Sequence, residues 1–185
     1  PPHGTRIYKL EAENRLDRYI YEAETGFMHD YQEIYNNQSV GSAIYETNSS
    51  AGGGAYASWL GGKRSNSLLW RDVYVTEEAD YTVHFCGSAA ETRSLNVVLN
   101  GEDMGKINMN TSNWSTFKEY NMTLHLKAGS NSIELYNEKG WMPNMDYMSL
   151  EKVGEKTILT RRLEEAVQHL LADRKSGSAG MPRPI

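Results

Sequence analysis

The feature that most constrains this chain is a regular alternation of apolar and polar residues in short runs from about Tyr19 to Val153. Such alternation places every second side chain on the same face of a β-strand. The runs are separated by clusters of Gly, Asn and Ser, and Asn100-Gly101 is a strong hairpin-turn signal because both residues tolerate positive φ. We count roughly nine to eleven predicted strands, enough for two packed sheets. The sequence therefore predicts an all-β fold, a β-sandwich.

Composition excludes several classes of function. The chain has 185 residues, which suits one domain, and its formal net charge is -5. It lacks the basic patch that tracks phosphates, so we expect no nucleic-acid partner. No apolar run approaches the roughly 18 residues that span a bilayer, so we expect no membrane partner. The single cysteine, Cys86, cannot form an internal disulfide and is predicted to be a buried, unreactive side chain.

The two ends of the chain do not follow the β pattern. The opening Pro-Pro-His-Gly is neither a signal peptide nor a natural start, so we expect a piece of a longer protein. Apolar residues between positions 157 and 175 recur at helical spacing, which predicts an amphipathic helix outside the sandwich. The predicted organisation is the end of a preceding domain or linker (1–18), the sandwich (19–153), the helix (154–175) and a disordered Gly/Ser/Pro-rich tail (176–185).

Two glutamates near the start are candidates for chemistry. Glu22 and Glu24 lie at i and i+2 on a predicted strand, so their carboxylates should share a face roughly 6 to 7 Å apart. This spacing is compatible with a glycosidase acid–base pair, with a hard-cation site or with ordinary solvated charges. A catalytic pair normally flanks the sugar from opposite sides, whereas two neighbours on one strand can converge on an ion. We therefore favour calcium.

A calcium site needs further oxygen ligands from elsewhere in the chain. Asp146 is the best candidate, because it is predicted to share a face with Met148 and Leu150, which should be core residues. An isolated buried carboxylate is costly, and a bound metal removes that cost. The Gly-rich segment 52–54 could add backbone carbonyl oxygens.

Five motifs, in order, resemble carbohydrate-binding modules of family 35 and their relatives in family 6. They are YEAE, AGGGAYASWL, VVLNG, NWSTF followed by LHLKAGSNSIEL, and PNMDYMSLEKV, and together they cover residues 20 to 153. The resemblance implies a jelly-roll β-sandwich and a non-catalytic, sugar-binding function. It also implies a structural calcium held by Glu22, Glu24 and Asp146, in agreement with the argument from strand spacing.

A sugar site needs an exposed aromatic plane and a few fixed polar partners. Trp114 lies in a polar stretch that we interpret as a loop, so its ring should be exposed. The resemblance implies that Trp114 is the sugar platform and that Asn144 binds the ligand. Trp141, Asn137 and Trp59 are predicted to line the same rim. The alternative for each loop Trp is a ring folded over its own loop as a lid on the core.

Residues 1–10 resemble the closing strand of the C-terminal β-domain in family 27 glycoside hydrolases, the α-galactosidase group. This likeness implies that the module targets an attached glycoside hydrolase to its glycan, with a galactose-type sugar as first guess. It also implies an extracellular or periplasmic location. The alternatives are a structural spacer that braces a neighbouring catalytic domain without binding sugar, and an independent hydrolase, for which no nucleophile–base pair stands out.

Overall fold

The computed structural model describes residues 15–31 and 42–154. The predicted C-terminal helix, apart from its first residue, and the predicted disordered tail lie outside the described residues. So do the first fourteen residues, which include the stretch that resembles a family 27 enzyme. Among the residues that the structure describes, no helix has the length and apolar character needed to cross a membrane.

The described residues form two antiparallel β-sheets. The first sheet has six strands in the order β3-β4-β11-β6-β9, with β1 paired to β11, and the second has five in the order β2-β5-β10-β7-β8. The strands of the first sheet are β1 (Ile20–Glu22), β3 (Ile44–Thr47), β4 (Ala55–Ser58), β6 (Ala79–Ala89), β9 (Asn113–Leu126) and β11 (Asn144–Lys152). Those of the second are β2 (Phe27–Met28), β5 (Leu68–Val75), β7 (Arg93–Leu99), β8 (Glu102–Met109) and β10 (Gly129–Tyr136). The predicted β-sandwich is confirmed.

The core fills the space between the sheets. The alternation seen in the sequence produces it, because Tyr81, Val83 and Phe85 of β6 point inward and are buried. They pack with inward-facing residues of the second sheet such as Leu95 of β7. Trp70 of β5 is also buried, as its strand-like surroundings in the sequence predict. Removing this apolar surface from water is what holds the two sheets together.

Strand direction separates the molecule into two ends. β11 starts at Asn144, opposite Ser88 near the end of β6, and β9 starts at Asn113 beside Ala89. These starts and ends define the first end of the sandwich. At the other end, the backbone N–H of Leu150 donates to the carbonyl of Tyr19. The described chain therefore enters at residue 15 and leaves at residue 154 from this second end, opposite Asn144.

The segment just before β1 is attached to β5 by polar contacts. The Arg15 guanidinium donates to both carboxylate oxygens of Asp72 and lies 4.1 Å from the centre of the Tyr74 ring. One Asp17 carboxylate oxygen accepts a hydrogen bond of 2.8 Å from the backbone N–H of Thr76. The last residues of the predicted linker 1–18 thus pack on the second sheet.

Glu134 anchors the outer face of the second sheet, and its charge should contribute to stability. Arg64 donates to both of its carboxylate oxygens at 2.8 and 2.7 Å, and Ser67 donates to one at 2.6 Å. Arg64 in particular holds the pKa of Glu134 below its ordinary value. A carboxyl with a lowered folded-state pKa adds stability above its unfolded pKa, and this contribution is lost as pH falls through the folded-state value.

We therefore expect Glu134→Gln to lower the free energy of unfolding at pH 7 by about 1–2 kcal/mol. The difference from wild type should shrink steadily below about pH 4.5, where the unfolded-state carboxyl begins to protonate. Urea denaturation at several pH values measures both quantities. Glu102→Gln, at an exposed hairpin position, is the control and should change little. A difference that stayed constant from pH 7 to pH 3 would show that the charge of Glu134 is irrelevant.

Candidate functional site

The first candidate site is the group of three predicted metal ligands. Glu22 ends β1, and β1 pairs with β11 so that Glu22 lies opposite Tyr147, the residue after Asp146. Glu24 does not continue the strand as predicted, because residues 23–25 form a short 3-10 helix instead. This turn is fixed by the hydroxyl of Thr25, which donates to the Glu22 carbonyl. The two glutamates are brought together by a turn, not by strand alternation.

Asp146 is buried, at 1% exposure, but not on the predicted face. The pairing of β11 with β6 shifts between Met145 and Tyr147, which leaves Asp146 at a β-bulge and outside the simple alternation. Its carboxylate accepts a hydrogen bond of 2.9 Å from the backbone N–H of Gly52 and one of 3.7 Å from the Cys86 thiol. Cys86 follows the inward-facing Phe85, so the carboxylate lies on the side away from the core of the sandwich.

The hydrogen bond from Cys86 is consistent with its predicted inertness. Burial, followed by the nearby Asp146 charge, raises the pKa of the Cys86 thiol to about 12. The thiol is therefore protonated at neutral pH and donates to the carboxylate. This is the behaviour of a small structural side chain, in contrast to a reactive thiolate.

Each of the three carboxylates has a buried oxygen with no hydrogen-bond partner among the described residues. These atoms are Oε2 of Glu22, Oε2 of Glu24 and Oδ1 of Asp146. Burial raises the pKa of Glu22, and the charges of Glu24 and Asp146 raise it further. Burial also raises the pKa of Asp146 against the opposing effect of the Gly52 N–H. Unsatisfied buried carboxylate oxygens are rare and costly unless something neutralises them.

The Gly-rich loop lies close to the three carboxylates. A Cβ at Gly53 would lie 3.7 Å from Oε1 of Glu24, and a Cβ at Gly52 would lie 3.5 Å from Oδ1 of Asp146. Gly53 adopts φ +68, a conformation that residues with a side chain rarely accept. The loop therefore brings its backbone close to all three acids, and the supply of carbonyl oxygens by this loop stays a prediction.

Carboxylate oxygens are the ligands that a hard cation such as calcium prefers. In their present positions, however, the three side chains do not form a complete metal site. Within residues 15–31 and 42–154, no three His, Cys, Asp or Glu side chains form a group ready to hold a metal ion. Calcium prefers six to eight oxygen ligands, and carboxylates alone rarely supply them. A calcium ion here would have to combine Glu22, Glu24 and Asp146 with backbone oxygens or water.

The second candidate site lies at the first end of the sandwich, around Trp114. The structure places Trp114 at the second position of β9, so the prediction of a loop is wrong. The β6–β9 pairing shifts between Gly87 and Ala89, and this irregularity leaves the ring 38% exposed. The hydroxyl of Ser88 donates to the Trp114 carbonyl at 3.0 Å, which holds the backbone in place. The prediction of an exposed ring is confirmed.

Asn144 lies at the same end of the first sheet as Trp114. It is the register partner of Ser88, whose hydroxyl contacts Trp114, so the three residues occupy neighbouring positions. The Asn144 side chain is half-buried. Among the described residues no hydrogen bond engages its amide, which leaves its donors and acceptor available to a ligand.

Arg93 is a residue of this site that sequence reasoning did not find. Its guanidinium lies 4.5 Å from the centre of the Trp114 ring, a cation–π contact. It also donates to the Met142 carbonyl at 3.3 Å and to the Glu91 carboxylate at 3.0 Å. Nothing in the sequence around position 93 indicates this contact, because it joins strands of the two different sheets.

Trp59 and Trp141 form a separate aromatic pair. Their ring centres are 5.6 Å apart at 86°, an edge-to-face arrangement, and both rings are half-buried. Trp141 also packs on the backbone of Gly62. In the described part of the chain, no ring contact joins this pair to Trp114. The pair resembles the predicted lid more than an open platform, and its role in sugar binding stays a prediction.

Asn137 uses its side chain to hold its own loop. Its amide N–H groups donate to the carbonyl and hydroxyl of Ser94 at 2.9 and 3.2 Å. Its amide oxygen accepts from the backbone N–H groups of Lys139 and Gly140, both at 3.1 Å. This accounts for the full hydrogen-bonding capacity of the amide. Its predicted role as a sugar ligand remains a prediction.

No family model and no curated protein matches the chain, but solved structures do. Among solved structures, a family 35 carbohydrate-binding module from Clostridium thermocellum shares 27% identity, with a TM-score of 0.62. The alignment covers 71% of this chain and 96% of that one. A second module of that family, from Paenibacillus barcinonensis, is 23% identical with a TM-score of 0.61, over 71% of this chain and 97% of the other. The structural neighbours are family 35 carbohydrate-binding modules.

The neighbours also include parts of larger proteins. An exo-β-1,3-galactanase from Phanerochaete chrysosporium aligns at 17% identity and a TM-score of 0.61, over 74% of this chain but only 29% of its own. At this identity the likeness shows the fold alone. Together, the neighbours confirm the jelly-roll sandwich, and the Clostridium thermocellum module at 27% identity supports a carbohydrate-binding module.

Proposed function

We propose that this chain binds carbohydrate at the first end of the sandwich, with the Trp114 ring as platform and Asn144 as hydrogen-bonding partner. The observation that carries the proposal is an exposed Trp114 at the same end of the sheet as the Asn144 amide, which has no hydrogen-bond partner among the described residues. Sugar rings offer an apolar C–H face and a rim of hydroxyls, and this pair of groups complements both.

Arg93 gives the platform its rigidity. The guanidinium covers one face of the indole, so a sugar would stack on the other face. The hydrogen bonds of Arg93 to Met142 and Glu91 hold the guanidinium in turn. A ring fixed before binding loses less conformational entropy when a ligand stacks on it.

The second part of the proposal is a structural calcium at Glu22, Glu24 and Asp146. Its support is the three buried oxygens without partners and the position of Gly52 and Gly53 close to the same three carboxylates. When bound, the ion would neutralise the carboxylates and so favour the folded state. Asp146 would transmit that order directly to the sugar end, since Asn144 precedes it by two residues on the same strand.

The wider role is the targeting of an attached glycoside hydrolase to its glycan, outside the cell or in the periplasm, with galactose-type sugars as the first candidates. The resemblance of residues 1–10 to family 27 enzymes supports this choice of sugar. The galactanase among the neighbours was solved with β-1,3-galactotriose, and the sandwich matches only a part of that enzyme.

One observation favours a second candidate function, a structural spacer. Trp59 and Trp141 pack on each other, and Asn137 is saturated by its own loop, so three of the predicted rim residues have structural partners. A spacer needs no free platform, however. The exposure of Trp114 and its position at the end opposite residues 15–19 favour binding.

A glycan-panel binding assay in calcium buffer tests the proposal. The panel contains galactose, arabinose, mannan and uronic-acid oligosaccharides, and the chain is used at full length. Binding confined to one sugar class would support the module and identify its target. A blank panel from a folded, calcium-loaded sample would favour the spacer.

A further inference from the structure

The second end of the sandwich exposes three aliphatic side chains, which we call the aliphatic surface. Leu16, Ile20 and Val153 are 84%, 49% and 51% exposed, more than any other Leu, Ile or Val in the described part of the chain. The remaining large exposed apolar residues there are Met104 and aromatic residues whose rings contact another ring or an arginine. Aliphatic side chains that collect at one end of a protein indicate a contact surface.

Two of these residues lie at the ends of the two sheets. Leu16 precedes Asp17, whose carboxylate accepts a hydrogen bond from the N–H of Thr76 just after β5 in the second sheet. Val153 directly follows β11 of the first sheet, and its N–H donates to the carbonyl of Asp80 in β6 at 2.9 Å. Packed sheets lie about 10 Å apart, so Leu16 and Val153 flank the end of the core from its two sides.

Ile20 extends the surface along the outer face of the first sheet. It begins β1 opposite Ser149 of β11, and its neighbour Tyr21 is a core residue. Because successive side chains of a strand point to opposite faces, Ile20 points outward. Ser149 precedes Val153 by four residues, a distance of about 13 Å along the strand. The aliphatic surface therefore has dimensions that one helix could cover.

The segment that could cover this surface follows Val153 in the chain. Residues 155–185 lie outside the described residues, and part of their sequence predicts an amphipathic helix. Apolar residues there recur every three or four positions, which places them on one stripe of a helix: Leu159, Leu163, Val167, Leu170 and Leu171. A helix of this kind gains most of its stability when the stripe packs on an apolar surface.

The short connection keeps this stripe near the second end. Leu159 is five residues beyond Gly154, so the two lie no more than about 18 Å apart. A helix from Leu159 to Leu171 is about 18 Å long, which exceeds the distance of about 10 Å between the two sheets. The stripe can therefore cross the second end from Val153 to Leu16. The connection also gives it a high effective concentration there.

We propose that residues 159–171 pack as an amphipathic helix across the second end of the sandwich and cover the aliphatic surface. The occupant is this segment of the same chain, because its stripe is apolar like the surface and its connection holds it there. Packing at the second end does not depend on sugar binding at the first end. The inference therefore goes beyond the proposed function, and either can fail without the other.

Nuclear Overhauser effects between methyl groups test the proposal directly. In the full-length chain with labelled Ile, Leu and Val methyl groups, we expect contacts from Leu163 and Leu170 to Ile20 and Val153. A mixture of two differently labelled samples distinguishes contacts within one chain from contacts between copies. The melting temperature is measured on the same protein.

A matched pair of double substitutions tests the stripe. Leu163→Asp combined with Leu170→Asp should abolish the methyl contacts and lower the melting temperature by roughly 5 °C or more, because two buried apolar side chains are lost. Gln168→Asp combined with Ala172→Asp is the control. It adds the same charge on the opposite side of the helix and should preserve the methyl contacts.

The surface itself is tested by Leu16→Gln combined with Val153→Gln. With the helix packed on these side chains, the variant should melt several degrees lower and shift the methyl signals of Leu163 and Leu170. Without the helix, both side chains face solvent, and the variant should melt like wild type.

Two results would overturn the proposal. One is an absence of methyl contacts between residues 159–171 and the aliphatic surface in the wild-type chain, whatever the melting temperatures of the variants. The other is methyl contacts that occur only between differently labelled copies, which would assign the surface to a second copy of the chain.

Discussion

Chelation of calcium with EDTA should lower the melting temperature of this chain by about 10 °C. A ligand that binds only the folded state stabilises it by mass action, and an ion at 1,000 times its Kd contributes about 4 kcal/mol. For a domain of this size, each kcal/mol corresponds to a few degrees. Differential scanning calorimetry in calcium buffer, then with EDTA, and then with calcium restored, measures the effect and its reversibility.

The direction in which Glu22→Gln changes the stability of the protein makes the test sharper. If calcium binds, Glu22→Gln removes a ligand, so the variant should be less stable than wild type in calcium buffer and insensitive to EDTA. If no cation binds, the same substitution removes one of three crowded negative charges. The variant should then be more stable than wild type, because burial and the two neighbouring charges disfavour ionised Glu22. Glu102→Gln is the control, and its EDTA response should match that of wild type.

Trp114→Ala should weaken sugar binding roughly 30- to 150-fold, which is about 2–3 kcal/mol. The reason is the loss of the open indole face, on which the sugar ring would stack. The melting temperature should change little, because the ring is 38% exposed and its removal costs chiefly the cation–π contact with Arg93, about 0.5–1 kcal/mol. Isothermal titration calorimetry with the best ligand of the glycan panel measures the Kd.

Two further variants distinguish the contribution of the Trp114 ring from that of Arg93, which stacks on it. Trp114→Tyr keeps an aromatic plane and should retain part of the affinity. Arg93→Gln leaves the plane but removes the cation that fixes it, so the loss should be intermediate. A fall in melting temperature of 10 °C or more in Trp114→Ala, with sugar affinity unchanged, would instead identify the ring as a core residue and favour the spacer.

The fold could be predicted from the sequence because each strand carries its own signal. Alternation fixes which side chains point inward, as in Tyr81, Val83 and Phe85, and Asn100-Gly101 marks the turn between β7 and β8. These signals are local, so a single sequence is enough to find them. The burial of Trp70 and Cys86 followed from the same reasoning.

The local geometry around the predicted site residues could not be derived from the sequence. The bulge at Asp146 and the turn at Glu24 interrupt the regular period, and no local pattern announces either irregularity. The contact of Arg93 with Trp114 depends on how two sheets stack, and the saturation of Asn137 depends on a loop closing on β7. Such long-range contacts are set by packing, which alternation does not describe.

The described chain enters and leaves the sandwich at the same end, the second end, and this arrangement affects how the module could work. Residues 15 and 154 leave beside Tyr19 and Leu150, while Trp114 and Asn144 occupy the opposite pole, about 25 Å away along β11. A partner joined at either connection would therefore be attached at the end of the sandwich opposite the indole. With the sandwich bound to a polysaccharide at one end, a body attached at the other end would be held near the substrate at a high effective concentration.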